Sequence, residues 1–260
     1  MLVDAVVLAG QANQGALRDV SSATNEALIE VAGRPMLQYV IDALAGCERV
    51  RKIVVVRSER ELQKAIHGEI EFVPGRGSMI DNLLAGAEAL PGQGFLLVAT
   101  SDIPLVTSAI LDDFLAQCEK QAGDVFYPVI EKSIMEAKYP QAVRTYVKTR
   151  DGTFTGGNLM VLDRAVLQRC ARMTESFVAA RKKPWQLARL LGISFVFGLL
   201  LGRLTLKRIE GRVSELFAVR GWAVRTPHPE IGLDVDKPSD LDLINRIMEQ
   251  NAQVRPGEGG

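Results

Sequence analysis

Ala5-Val6-Val7-Leu8-Ala9-Gly10-Gln11-Ala12-Asn13-Gln14-Gly15 decides how this chain is read. The run to Ala9 is continuously apolar and ends at a glycine, the pattern of a strand buried on both faces. Working outward, Pro35 to Ala45 carries apolar residues at helical spacing, with Pro35 tolerated in a first turn. Ile53–Val56 is a second strand and Glu59–Ile66 a short helix. Ile70–Val73 is a third strand, and Ser78 caps a helix running to about Leu90. Phe95–Ala99 is a fourth strand, with Ser108–Gln121 helical after it. Apolar strands alternating with amphipathic helices predict an α/β fold, a parallel sheet with helices on both faces. Ligands of such sheets bind beyond the carboxyl ends of the strands. The loops after Ala9 and Ala99 therefore matter most.

The second half is less regular. Val125–Ile130 and Ala142–Thr149 are expected as strands separated by a polar segment, followed by a turn at Asp151-Gly152-Thr153. Asn158–Leu162 is expected as a strand and Asp163–Met173 as a helix. Ser176–Gly202 reads as helix in pieces, broken at Pro184, Gly192 and Gly198. Leu233–Val235 is expected as a short strand and Pro238–Glu249 as a last helix. Residues 1–250 are read as one domain and 251–260 as a flexible tail.

The chain has 260 residues, with 31 Lys+Arg balancing 31 Asp+Glu. The 47% hydrophobic and 24% charged fractions suit a globular protein. Zero net charge argues against an electrostatic nucleic-acid binder. Cys47, Cys118 and Cys170 lie far apart, and two histidines cannot complete a zinc site of usual spacing. Scattered thiols, with no signal peptide read at the start, point to the cytoplasm. No membrane span is expected. The most apolar stretch, Leu190–Gly202, covers about thirteen residues against the roughly 18–20 a bilayer requires.

Five loops can carry chemistry. In Leu8-Ala9-Gly10-Gln11-Ala12-Asn13-Gln14-Gly15-Ala16-Leu17-Arg18, exposed N–H groups could cradle phosphates, Gly10 and Gly15 would allow close approach, and Arg18 would supply charge. An ordinary strand-to-loop turn explains the same residues. Asp102, in Thr100-Ser101-Asp102-Ile103-Pro104-Leu105, sits at a strand's carboxyl end, where it suits either a divalent-metal ligand or a turn cap. Asp234 and Asp236 would share one face of an extended segment and repel unless a cation lies between them. Asp236 could equally cap the helix that begins at Pro238. Thr155-Gly156-Gly157-Asn158 offers a tight backbone approach with hydrogen-bonding groups for an acceptor, or a plain glycine turn. Lys182 and Lys183, in Arg181-Lys182-Lys183-Pro184, could grip an acceptor phosphate or only solvate a surface.

Taken in order, these loops resemble the nucleotidyltransferases of the GT-A-type fold, which include molybdenum-cofactor guanylyltransferases and sugar-phosphate nucleotidyltransferases. The opening motif is matched by Leu8-Ala9-Gly10, Arg18 and Gly33-Arg34-Pro35. The D-x-P-L motif is matched by Asp102 to Leu105, and the late D-x-P-x-D-L motif by Asp236, Pro238, Asp240 and Leu241. The resemblance implies a Rossmann-like three-layer sandwich with a mostly parallel mixed sheet and an elaborated C-terminal half. It implies a nucleoside triphosphate in the first loop, Mg²⁺ on Asp102 and Asp236 with Asp234 beside them, and base contacts at Ser78 and Asn82. An acceptor phosphate or hydroxyl attacks the α-phosphorus and pyrophosphate leaves. The implied partners are the nucleotide and a small-molecule acceptor; a homodimer is compatible.

Two residues depart from the family pattern. Gln11 stands where a second glycine is usual, and Glu26 where the signature lysine is. An acid beside a triphosphate is repelled by about 4 kcal/mol per charge pair at 4 Å with an effective dielectric near 20. These departures motivate a second reading, a binding or regulatory protein of the same fold that has lost transfer activity. A third reading, a glycosyltransferase using Asp234 and Asp236 as its Asp-x-Asp pair, would place that pair unusually late.

Overall fold

In the computed structural model, which describes residues 1–57, 60–90, 92–180 and 184–254, the opening apolar run forms β1 (Val3–Leu8). Val3, Ala5 and Val7 pack into one core cluster, while Val6 packs into another on the opposite face. Burial on both faces is why the run is apolar without alternation. A hairpin of β2 (Glu30–Val31) and β3 (Arg34–Pro35) leads into α1 (Met36–Ala45). Then come β4 (Val50–Val56), α2 (Arg60–Ala65), β5 (Glu71–Val73), α3 (Met79–Ala89) and β6 (Phe95–Thr100). The Ser78 cap is present, and Gly86 inside α3 is dictated by packing. An added Cβ there would lie 2.5 Å from Val6 Cγ1, so the helix could not seat on the sheet.

After α4 (Ser108–Glu119) the chain forms β7 (Val125–Glu131), α5 (Lys132–Lys138), β8 (Val147–Thr149), β9 (Gly152–Gly156) and β10 (Leu159–Asp163). Four helices follow: α6 (Arg164–Ala180), α7 (Pro184–Leu191), α8 (Ile193–Leu200) and α9 (Leu206–Phe217). Strand β11 (Gly221–Arg225), a 3-10 turn at Pro229–Gly232 and α10 (Pro238–Val254) complete the described chain. The 9-stranded sheet has the order β5-β4-β1-β6-β10-β7-β9-β8, with β11 also on β7. Strands β9 and β10 run against the others. The architecture is the mixed, mostly parallel sheet flanked by helices expected from the sequence.

Local readings of the second half need correction. The polar connector after β7 contains α5. The strand expected over Ala142–Thr149 survives only as β8, because Ala142 and Tyr146 pack against a further core cluster that includes Leu17, Ile130 and Leu233, and Arg144 turns in to an acid. The turn falls at Arg150–Asp151, and Gly152, at φ +140°, opens β9. Gly198 does not break α8; an added Cβ there would lie 2.8 Å from Leu204, so its role is close packing. Leu233–Val235 joins no ladder. Helix α10 runs through Val254, so residues 251–254 are helical, and 255–260 lie outside the described residues. Neither α9 nor β11 was expected.

Candidate active site

Sheet topology brings three chain segments to one end of the central strands. Asp102 follows β6 directly, and the Pro229–Gly232 turn returns the chain beside it. The Val235 N–H donates to the Asp102 carbonyl at 3.0 Å. Val235 lies between Asp234 and Asp236, so that one bond carries both of their backbones to Asp102. Carboxylate oxygens of Asp102, Asp234 and Asp236 lie within 4.8 Å of one another. The shared face comes from this irregular hydrogen bond and not from a strand.

Burial and charge make the cluster expensive without a counter-ion. Asp102 Oδ1 is buried with no hydrogen-bond partner among the described residues. Burial, with Asp234 and Asp236 adding repulsion, pushes the Asp102 carboxyl up to about 7 against a hydrogen bond from Thr100. Asp236 is also raised, by desolvation first and then by the charge and hydrogen bond of Asp234. Arg144 forms an ion pair with Asp234 and partly compensates the cluster. Three carboxylates, one with an orphaned buried oxygen, fit a hard divalent cation.

This raised acid predicts an inverted pH dependence of stability in metal-free protein. Between pH about 4 and about 7 the folded chain keeps a proton on Asp102 that the unfolded chain has released, so stability falls as pH rises. Asp102→Asn removes the Asp102 share of that dependence, leaving the smaller contribution of the raised Asp236. In chelator-treated melts its Tm should exceed the wild type by several degrees at pH 8, at roughly 2–4 °C per kcal/mol, and approach it at pH 5. Identical pH slopes would contradict the assignment.

The first loop is stapled to the segment that follows it. Asn13 Nδ2 donates to the carbonyls of Ser21 and Ala23, both at 3.0 Å. Asn25 Nδ2 donates to the Ala9 carbonyl at 3.0 Å, and the Glu26 N–H to the Gln11 carbonyl at 3.1 Å. Leu8 ends β1, Ala9 is buried, and Gly15 and Gln11 are exposed at the loop surface. A Cβ on Gly10 would meet Asn82 Nδ2 at 3.0 Å, so any side chain there would displace that amide. Asn82 Oδ1 accepts from the Arg76 N–H at 2.7 Å, so this buried amide joins the first loop to the turn after β5. Ser78 is committed elsewhere. Its hydroxyl donates to Asp81 Oδ2 at 2.7 Å and accepts from the Asp81 N–H in a capping box. Arg18 lies exposed on the 3-10 helix Ala16–Asp19, and no hydrogen bond or ion pair among the described residues ties it to the acids. Arg57, which the sequence reading passed over, donates from Nη1 to the Gly10 carbonyl at 2.7 Å.

Glu26 is turned into the structure beside the first loop. It is 6% exposed, hydrogen-bonds the Gln11 side chain, and feels the Asp236 charge. Burial raises its pKa, the Gln11 bond lowers it, and Asp236 raises it further. The two departures from the family pattern are thus one contact, lying between the loop and the acidic cluster.

The acceptor candidates are partly joined to this end. The Asn158 N–H donates to the Ile231 carbonyl at 2.9 Å, and the Asn158 carbonyl accepts from the Thr100 N–H at 3.1 Å. Asn158 therefore bridges the Asp102 loop and the approach to Asp234, and its Nδ2 is buried without a partner among the described residues. Gly156 and Gly157 serve packing: a Cβ on Gly156 would lie 2.3 Å from the Tyr127 hydroxyl, and one on Gly157 2.6 Å from Ile231. Thr155 is buried in β9, paired with Ile130. Lys182 and Lys183 lie outside the described residues. Arg144 had no sequence signal, being a lone cation in an irregular segment.

A family model of the MobA-like NTP transferase domain matches residues 5–188. A solved structure described as a hypothetical transferase from Thermus thermophilus is 36% identical, with a TM-score of 0.81, covering 93% of this chain and 100% of that one. Among curated proteins, the bifunctional protein GlmU of Leifsonia xyli is 28% identical over 151 residues, 54% of this chain and 29% of GlmU. The molybdenum cofactor guanylyltransferase of Shewanella sediminis is 29% identical over 126 residues, 47% of this chain and 60% of that protein. Both matches span less than two thirds of the curated relative's own length. The family match agrees with the resemblance read from the loops, and the chain belongs to the MobA-like NTP transferase domain family.

Proposed function

We propose that this protein is a Mg²⁺-dependent nucleotidyltransferase that moves a nucleoside monophosphate from a triphosphate to a phosphorylated or hydroxyl acceptor, with release of pyrophosphate. The observation that carries the reading is the convergence of Asp102 and Asp236, tied through Val235, with an orphaned oxygen on Asp102. Family membership and the names of the curated relatives support nucleotide chemistry.

In this reading Asp102, Asp236 and Asp234 hold the cation. Bound there, Mg²⁺ would supply charge neutralisation for the triphosphate. In residues 8–15 the N–H groups of Asn13 and Gln14 already bond the Thr24 and Ala12 carbonyls, so the triphosphate would be held by the N–H groups of residues 10–12 and 15, on a loop locked by Asn13 and Asn25. Arg18 supplies cationic charge at the loop's far end. Asn82, wedged against Gly10, borders the base, and Asn158 Nδ2 offers a donor to the acceptor. Arg144 orients Asp234 through their ion pair. The protein positions groups and compensates charge, and forms no covalent bond to substrate. Residues 1–250 act as one unit, since β11 and α10 complete the sheet and core that the first half begins. The free thiols Cys47, Cys118 and Cys170 support a reducing, cytoplasmic setting.

Calorimetry with GTP, CTP, ATP and UTP in the presence of Mg²⁺ tests the reading, followed by pyrophosphate detection with an acceptor panel. Binding of at least one triphosphate is expected, and no binding of any would overturn it. The buried Glu26 beside the loop favours the second reading, a nucleotide-binding protein without transfer. Tight binding with no pyrophosphate from any acceptor would select it.

A further inference from the structure

We propose that helices α7 and α8 dock the protein onto an anionic membrane surface. Four exposed apolar residues of the α8 segment, Ile193, Phe197, Leu200 and Leu201, are spaced i, i+4, i+7 and i+8, which places them on one helical face. Their relative exposures of 59–77% leave that stripe in solvent, and Trp185 of α7 is 64% exposed. Helix α8 contains no buried residue. An exposed apolar stripe of this kind marks a surface for contact with another molecule or a membrane.

Charge selects the partner. The described residues 184–209 contain four Lys and Arg and no Asp or Glu, while the whole chain is neutral, so the segments that carry the stripe are net positive. Arg189, Arg203, Lys207 and Arg208 are exposed, and none forms an ion pair among the described residues. A cavity of about 550 Å³ between α8 and α9 is walled by Leu191 and Phe195 and by Lys207, Arg208 and the Arg212–Glu215 pair, a net-cationic mixture suited to a lipid headgroup and its first methylenes. Apolar anchors flanked by cations are the signature of a helix lying in the interface of an anionic bilayer. Insertion across the membrane is ruled out for the described helices, none of which is long and apolar enough to cross.

The platform is rigid enough to present that face. Arg212 of α9 donates from Nε to the Leu191 carbonyl and from Nη2 to the Leu190 carbonyl, both at 2.9 Å, and pairs with Glu215. It thereby holds the end of α7 on α9. At the far end of α8, Gly202 sits against Lys148 of β8, the edge strand of the sheet. A second copy of this chain would set one cationic face against another, which argues for lipid instead.

Flotation of the full chain tests the proposal, using vesicles of phosphatidylcholine alone and of phosphatidylcholine with phosphatidylglycerol. Binding to the anionic vesicles only is expected, weakening with salt. Arg203→Glu with Lys207→Glu, and separately Phe197→Glu with Leu200→Glu, should each cut the bound fraction about tenfold or more. All four side chains are solvent-facing or partly so and lie outside the proposed nucleotide site, so circular dichroism and triphosphate binding should be unchanged. Failure of the wild type to float with anionic vesicles would overturn the proposal. So would binding that neither double variant weakens, or light scattering showing a dimer that Phe197→Glu with Leu200→Glu splits. Each outcome is read without transfer activity, so it stands apart from the catalytic reading.

Discussion

Asp102→Asn and Asp236→Asn should each lower Mg²⁺-dependent turnover by about a thousandfold or more while leaving the fold intact. The size follows from what each carboxylate does. Asp102 contributes a buried oxygen with no hydrogen-bond partner among the described residues, and Asp236 contributes the more exposed side of the same cluster. On the proposed reading, losing either would reduce the charge available to hold the cation and shift its position relative to the triphosphate, where small misplacements cost orders of magnitude. The fold survives because the bond joining the segments uses the Asp102 carbonyl and the Val235 N–H, not a carboxylate. Steady-state pyrophosphate release against Mg²⁺ concentration, with circular dichroism, measures both parts. Unchanged turnover in either variant removes that residue from the metal site.

Glu26→Gln should tighten triphosphate binding by about tenfold at low salt. Glu26 stands where the resemblance read from the sequence implies a cation, and it is buried under the loop within reach of the Asp236 charge. A negative charge there opposes both the triphosphate and the filling of its site, at a cost of up to several kcal/mol per close pair before screening. The glutamine keeps the size of the side chain and can keep the contact with Gln11. Because burial already raises the Glu26 carboxyl, the gain should shrink as pH falls and the wild-type residue takes up its proton. Calorimetric affinities for the bound triphosphate at two pH values check this. Equal affinities in variant and wild type at neutral pH would show that the Glu26 charge does not reach the nucleotide.

The first half of the chain was legible because its strands are buried on both faces and separated by periodic helices. β1, β4 and β6 needed no tertiary knowledge to be found. The second half resisted for identifiable reasons. Arg144 and Tyr146 interrupt a segment that local propensity favours as a strand, because one serves the acidic cluster and the other the core. The Asp234–Asp236 segment carries an alternating pattern but finds no strand partner, since its central N–H is taken by Asp102. Helix α9 has an amphipathic stripe with glycine inside it, and its packing against α6 and β11 is visible only in three dimensions. At the site, the acids were read from their positions in short motifs. Arg57 and Arg144 were not, because a single cation in a strand end or a loop carries no local pattern. Nor does sequence spacing show that Gln11 and Glu26 touch.

A crystal soaked with Mn²⁺ and a triphosphate, recorded at a wavelength where manganese scatters anomalously, tests the central claim most directly. An anomalous peak bonded to Asp102 and Asp236, with phosphate oxygens completing its coordination beside residues 8–15, is the predicted result. A triphosphate bound with its metal remote from both carboxylates would contradict it.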